Sequence, residues 1–111
     1  MVKVTILLNK KNKKVGFVAS GHAESGPKGH DLVCAAISAI VTGGINAIKH
    51  RGMFEISLYT GFAKIKPWPW KIDSRINTHD RIVIETMIEQ LQTIAESYPK
   101  NLTITNKTCK V

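Results

Sequence analysis

Cysteine, acidic residues and long hydrophobic runs are all scarce in this sequence, and each shortage excludes a class of protein. Two cysteines, Cys34 and Cys109, among 111 residues are too few for a disulfide framework. No apolar run approaches the roughly 20 residues that cross a bilayer. The opening segment MVKVTILLNKKNKK has its basic cluster after the apolar run, the reverse of the order in a secretion signal. We therefore expect a cytoplasmic protein with no membrane partner.

Negative charge is half as frequent as positive charge. Sixteen Lys and Arg against eight Asp and Glu give a net charge of +8, and a basic surface favours polyanions such as RNA. The cations are scattered except in NKKNKK at 9–14, which we interpret first as a solvated hairpin turn and second as a phosphate or ribosome contact. No aromatic stacking motif of the kind used by single-strand binders stands beside it in the sequence. Direct nucleic-acid binding is therefore not expected to be the main role.

Short stretches rich in β-branched and aliphatic residues predict five strands. They are expected at residues 2–8, 15–20, 54–61, 62–66 and 102–105. Two helices interrupt them, so the order is β-β-α-β-β-α-β in one domain over residues 1–111. Because short connections favour antiparallel neighbours, this order predicts an α+β fold, with a small, mostly antiparallel sheet and both helices on one face.

Three- and four-residue spacing of apolar side chains predicts the two helices. The first is expected from Asp31, with Gly52 as its stop, and the second from about Thr78 to Tyr98, capped by Thr78 or Asp80. The apolar residues of the second helix are Ile82, Ile84, Met87, Ile88, Leu91, Ile94 and Ala95. The glycines at 43 and 44 in the first helix indicate a place where another element can approach closely.

The segment GHAESGPKGHDLVCAAIS, residues 21–38, changes from a Gly-rich loop to an apolar helix and carries the chemistry. If Asp31 is the N-cap, Cys34 lies in the first helical turn, where unpaired N–H groups and the helix dipole favour a thiolate. The charge of Asp31 opposes this effect in part. Ser38 lies one turn further along the same face.

His22 lies twelve residues before Cys34 across this loop. A loop of this length closes at modest entropic cost, and an imidazole beside a thiol supplies a nucleophile with its base. Two other interpretations stay open at this point. Cys34 could be a small buried hydrophobe, and His22, His30, Cys34 and Asp31 could bind zinc, although they lack the paired spacing of structural zinc sites.

A resemblance favours the first interpretation. Gly-His-Ala at 21–23, an intervening segment ending in Gly29, then Asp31, Val-Cys-Ala-Ala at 33–36 and Ser38 resemble the signature of the ribosomal-processing cysteine protease family (Prp). The similar length, the basic opening hairpin and the Tyr-Pro at 98–99 before a closing strand are compatible with it.

The resemblance implies a homodimeric endopeptidase that needs no cofactor or metal. Its substrate would be a bacterial large-subunit ribosomal protein, protein twenty-seven, from which it removes a short N-terminal extension. Cys34 would be the nucleophile and His22 the general base. Gly21 would let the active-site loop move, while Asp31 and Ser38 would support the site. Because the family's substrates carry an aromatic pair before the cut, we expect an apolar groove beside Cys34.

The alternative is a non-catalytic ribosome- or RNA-associated binding protein with the same fold. Other residues attract simpler interpretations. The two tryptophans of PWPWK at 67–71 are expected to cover the core or form a dimer contact rather than a substrate platform. His50 and His79, for which the sequence suggests no partner, are expected on the surface, and Cys109 is expected to carry a solvent-facing thiol.

Overall fold

The structure is a computed structural model and describes residues 1–21, 32–71 and 75–109. The regular elements in these ranges are β1 (Val2–Leu8), β2 (Lys14–Gly21), α1 (Leu32–Ala47), β3 (Phe54–Tyr59), β4 (Phe62–Pro67), α2 (Thr78–Ser97) and β5 (Leu102–Thr108). Two short 3-10 helices, Arg51–Met53 and Pro69–Lys71, lie before β3 and after β4. Neither α1 nor α2 is long and apolar enough to span a membrane.

The five strands form one sheet in the order β3-β4-β2-β1-β5. Three of the four pairings are antiparallel, and the pairing of β1 with β5 is parallel. The predicted α+β fold with a mostly antiparallel sheet is confirmed. The last strand is longer than predicted and continues to Thr108, because every residue of β1 from Val2 onward finds a partner on it.

The conformation of the turn between β1 and β2 follows from its residues. In the turn between β1 and β2, the buried Asn9 side chain accepts hydrogen bonds from the amides of Lys11 and Lys13 at 2.9 and 3.0 Å. Asn12 takes the left-handed conformation, with φ of 60°, which asparagine tolerates better than most residues. NKKNKK is thus a hairpin turn, as predicted.

One face of the sheet carries the main core. Alternate strand residues, among them Val4, Ile6, Phe17 and Ile65, are buried in one cluster with the apolar side chains of α1 and α2. Both helices therefore cover the same face, as predicted. A smaller cluster of Leu7 and Val15 lies apart from this core and includes the half-buried Cys109.

Helices α1 and α2 are in close contact at a glycine of α1. A Cβ atom at Gly44 would overlap the buried Met87 side chain of α2, whereas nothing lies within 4 Å of one at Gly43. The close approach predicted for this glycine pair is therefore confirmed at Gly44 and is wrong at Gly43.

The C-terminal end of α1 and the N-cap of α2 both differ from prediction. Helix α1 ends at Ala47 rather than near Gly52, and the amides that follow it bind Asp80 instead of continuing the helix. The N-cap of α2 is neither Thr78 nor Asp80. Asn77 is the cap, and its side chain accepts from the amide of His79 at 2.9 Å.

Ile82, named above among the apolar residues of α2, is 53% exposed and does not belong to the buried face of that helix. The solvent-facing position expected for Cys109 was wrong. Cys109 is only half-exposed, because its side chain packs against the Leu7 and Val15 cluster while its amide donates to the carbonyl of Leu8 at 2.8 Å.

Candidate active site

Cys34 is the third residue of α1 and lies in its first turn, where the sequence placed it. Its side chain is half-buried and packs in part against the main core, and it is not in a disulfide. Asp31, the expected N-cap, immediately precedes the first helical residue in the chain. That expectation lies outside the described residues.

A cavity of about 410 Å³ opens beside Cys34. One face of α1 forms its first wall with side chains at three- and four-residue steps: Cys34, Ile37, Ser38, Val41 and Thr42. Because residues four apart on a helix are neighbours on its surface, the Ser38 hydroxyl stands one turn along from the thiol. The expected apolar groove beside Cys34 is therefore present.

The turn between β3 and β4 forms the opposite wall, which the sequence interpretation missed. Leu58, Tyr59 and Phe62 line it, and the Tyr59 and Phe62 rings stack with their centroids 5.0 Å apart. A two-residue Thr-Gly turn in a strand-rich segment is a signal for the pairing of these two rings. Their closeness to Cys34 arises only from the packing of α1 against the sheet.

Gly21, at the end of β2, joins the two walls. Its φ of +105° is a conformation that side-chain-bearing residues rarely adopt, and a Cβ atom there would overlap the carbonyl of Met1. The Gly21 amide donates to the carbonyl of Gly61 in the turn between β3 and β4 at 2.9 Å. This bond fixes the end of β2 against the groove.

The structure brings together three of the five predicted site residues. Gly21, Cys34 and Ser38 all line the groove, whereas His22 and Asp31 lie outside the described residues. No charged side chain is among the described residues that line it. The described lining is therefore apolar with several hydroxyl groups and carries no charge.

No metal-binding group of three or more His, Cys, Asp or Glu residues occurs within 1–21, 32–71 and 75–109. Three of the four candidate zinc ligands named from the sequence lie between residues 22 and 31, outside the ranges described.

Of the two interpretations given for the tryptophans, core cover is wrong for Trp70 and the dimer contact stays a prediction. Trp68 and Trp70 stack almost parallel, with ring centroids 5.4 Å apart and planes inclined by 4°. Trp70 is 70% exposed and so does not cover the core. Neither ring lines the groove beside Cys34.

The most perturbed buried acid lies away from the groove and has a structural task. Asp80 is fully buried, and its carboxylate accepts from the amides of Lys49 and His50 at 2.9 Å and from His50 Nδ1 at 3.1 Å. Burial raises the pKa of Asp80, but these hydrogen bonds outweigh it and the net pKa is below its usual value. His50 and His79 are exposed, as predicted, although each has a partner that the sequence did not suggest. His79 Nε2 donates to the carbonyl of Ala47 at 3.0 Å.

A thiol at a helix start beside a peptide-sized groove is the arrangement that a thiol-dependent hydrolase requires. Comparison with known proteins agrees with this class. The family model described as Cysteine protease Prp matches residues 1–103, and the chain belongs to that family.

The relatives are similar over nearly their whole length. The chain is 32% identical to the ribosomal processing cysteine protease Prp of Staphylococcus aureus, covering 96% of this chain and 100% of the relative. It is also 32% identical to that of Bacillus subtilis, covering 95% and 96%.

Two crystal structures of the Staphylococcus aureus protease share the fold. One, in complex with a covalently linked product peptide, matches with a TM-score of 0.80 at 32% identity. The other, in complex with a substrate peptide, matches with a TM-score of 0.72 at 30% identity. Each covers 96% of this chain and 100% of the other.

Proposed function

We propose that this protein is a cysteine endopeptidase that removes the short N-terminal extension of bacterial large-subunit ribosomal protein twenty-seven. Cys34 is the nucleophile and His22 the general base, and the reaction needs no cofactor. The observation that carries the proposal is the position of Cys34, in the first turn of α1 and facing the groove.

The helix start supports the role of Cys34. Amide groups of a first turn lack partners within the helix and favour negative charge nearby. Such groups can receive the oxyanion that forms when the sulfur adds to the peptide carbonyl.

The chain connectivity supports the role of His22. It follows Gly21, which lines the groove with Cys34, by a single peptide bond. In the proposed reaction His22 takes the proton of the Cys34 thiol, the sulfur bonds to the carbonyl carbon, and the peptide C–N bond breaks as the imidazolium gives that proton to the leaving amine. Water then hydrolyses the thioester and restores the thiol.

The other two predicted residues are assigned supporting roles. The Ser38 hydroxyl lines the groove one turn from Cys34, where it can hydrogen-bond the substrate backbone. Asp31 precedes the first residue of α1 and is proposed to support the site from there.

The partly aromatic groove supports the choice of substrate. A ribosomal protein is basic, and the described lining of the groove holds no charged residue, so this part of the groove selects by shape and apolar contact. The exposed Tyr59 and Leu58 offer such contact to an aromatic pair before the cut. The names of the relatives, ribosomal processing proteases, are consistent with this substrate class.

A homodimer in the cytoplasm completes the proposal. A shallow groove between α1 and α2 is lined by Ile40, Ile82 and Val83 among others, and Ile82 is 53% exposed. A second copy covering this strip would remove it from water. Sedimentation equilibrium should give the dimer mass for the wild type and a lower mass for Ile82→Glu.

Cleavage by matched cysteine variants tests the catalytic proposal. Wild type, Cys34→Ala and His22→Ala are incubated with the extended ribosomal protein, and mass spectrometry locates any cut. We expect one cut by the wild type and a loss of at least about 1,000-fold in rate for Cys34→Ala, because no nucleophile remains.

Cys109→Ala is the control, since it removes the other thiol, which packs at the far end of β5, and should cleave at the wild-type rate. Undiminished trimming by Cys34→Ala would refute the proposal. A wild type that binds the ribosomal protein or RNA without cutting it would favour the non-catalytic binding protein.

A further inference from the structure

A second cavity, of about 440 Å³, lies at the opposite end of the β1–β2 hairpin from Cys34. Two segments distant in sequence supply its polar lining: the hairpin turn and the start of α2. The basic side chains on it are Lys11, Lys13, Lys14, Arg75 and Arg81. None of its described lining residues is acidic.

The fold fixes the positions of these cations. Asn9 organises the hairpin turn through two side-chain hydrogen bonds to backbone amides, and its own amide donates to the carbonyl of Lys13 at 3.0 Å. The lysines therefore extend from a defined turn. Arg75 stands three residues before Thr78, the first residue of α2, whose amino-terminal end adds positive potential.

Like charges held together repel one another unless an anion is bound. Of the five cations, Arg81 has an acidic partner, Glu85, at 3.3 Å. Within the part of the chain that is described, no ion pair is found for the other four. The cavity is thus a concentration of uncompensated positive charge that suits phosphate groups.

An aromatic pair lies at the same end of the sheet as this cavity, because β4 is antiparallel to β2 and its last residues lie beside the first residues of β2. Arg75 and Thr78 line this cavity and also an adjoining cavity that reaches Met53. The carbonyl of Met53 accepts from the amide of Trp68 at 3.2 Å, and Trp68 stacks on the exposed Trp70. An aromatic pair that is remote in sequence from the basic hairpin therefore lies at the same end of the sheet as that hairpin.

We propose that the basic cavity binds backbone phosphates of single-stranded RNA while the exposed face of Trp70 stacks on a base. Cations that follow a backbone, next to aromatic rings that take bases, are the combination by which proteins bind single strands. A site for a small anion or an acidic peptide would have no use for the tryptophan pair.

This site is independent of proteolysis. The groove beside Cys34 includes Val2 and Gly21, whereas the cavity includes Asn9, beyond the other end of the seven-residue β1. At about 3.3 Å per residue the two sites are roughly 20 Å apart. Ribosomal RNA and a peptide can therefore be bound at the same time.

Fluorescence anisotropy with a labelled single-stranded RNA of about 12 nucleotides tests the phosphate contacts. Lys13→Ala/Arg75→Ala is compared with Lys3→Ala/Lys100→Ala, which removes equal charge at the other end of β1. Log affinity falls as log salt rises, and each phosphate contact on a single strand adds about 0.7 to the steepness of this fall. The cavity variant removes two such contacts, so the steepness should decrease by about 1.4. The control should keep nearly the wild-type slope. Equal weakening in both variants would mean that net charge alone attracts RNA, and would overturn the proposal.

Tryptophan emission tests the base contact, because both tryptophans of the chain belong to the stacked pair. RNA should quench this emission, inorganic polyphosphate should not, and Trp70→Ala should weaken RNA binding about tenfold. Polyphosphate or phosphatidylserine vesicles that bind as tightly as RNA, together with an unaffected Trp70→Ala, would refute it. Cleavage of an extension peptide should be unchanged in the cavity variant, so either proposal can fail without the other.

Discussion

At the scale of single residues, Gly21 has the most constrained backbone beside the groove. Replacing it by alanine forces a side chain into φ of +105° and against the Met1 carbonyl. We expect Gly21→Ala to lower the free energy of unfolding by about 1–3 kcal/mol and to reduce cleavage, because the chain leaving β2 is redirected. Urea denaturation and a peptide cleavage assay measure the two effects.

Gly52→Ala is the matched control, since nothing lies within 4 Å of a Cβ atom there. It should change stability by less than about 0.5 kcal/mol. If Gly21→Ala were as harmless as Gly52→Ala, the positive φ would not be a requirement of the fold.

Asp80 is the residue whose loss should harm stability without touching the groove. In Asp80→Asn one oxygen is replaced by an NH₂ group, which faces N–H donors from Lys49 or His50 and leaves one unsatisfied. We expect a cost of about 1–3 kcal/mol, measured by urea denaturation. Glu89→Gln makes the same chemical change on the exposed side of α2 and should be nearly neutral. Similar values for the two variants would contradict the role of Asp80.

Cys34 and Asp80 differ in how far their roles could be predicted from the sequence alone. The position of Cys34 is local information, because a Gly-rich loop followed by helical periodicity places it in a first turn. The task of Asp80 is not local, since its partners lie 30 and 31 residues away. Its position at a helix start made it an N-cap candidate, whereas the fold uses it to terminate another helix.

At the scale of elements, the α1–α2 contact makes neighbouring glycines differ. Gly43→Ala enters open space and should stabilise the protein by about 0.5–1 kcal/mol through helix propensity. Gly44→Ala gains the same propensity but overlaps Met87, at a cost of about 1–3 kcal/mol. Thermal or urea unfolding should therefore rank Gly43→Ala above Gly44→Ala by at least about 1 kcal/mol. The reverse order would mean that the helices do not meet at Gly44.

The elements themselves were largely predictable, and their neighbours were not. Strand and turn residues identify the first hairpin, and periodicity identifies both helices, whereas residues 60–61 were predicted as strand and form the turn between β3 and β4. The parallel pairing of β5 with β1 has no sequence signal, because it depends on where α2 returns the chain. The Leu58–Phe62 wall of the active-site groove was missed because its closeness to Cys34 depends on how α1 packs against the sheet.

At the scale of the whole molecule, stability should fall in acid. The pKa of Asp80 is lowered in the folded protein. The pKa of Glu55, at the surface, is also lowered through its hydrogen bond with Lys64. Such carboxylates contribute fully above their unfolded pKa of about 4, and the contribution is lost as pH falls through the lower folded values. The gap between wild type and Asp80→Asn should therefore be largest at neutral pH and shrink towards pH 2. Urea denaturation across pH measures it, and a gap independent of pH would refute the assignment.

The parallel pairing of β1 with β5 has a consequence for biosynthesis. Val2 pairs with Leu102, which is synthesised 100 residues later. At a translation rate of roughly 5–20 residues per second, this delay is about 5 to 20 seconds. Until then β1 is an edge strand of the nascent hairpin, and its unpaired amides and carbonyls can pair with another chain. A holding chaperone would find its best target in the earliest part of the polypeptide, and maturation of the sheet is a late event in translation.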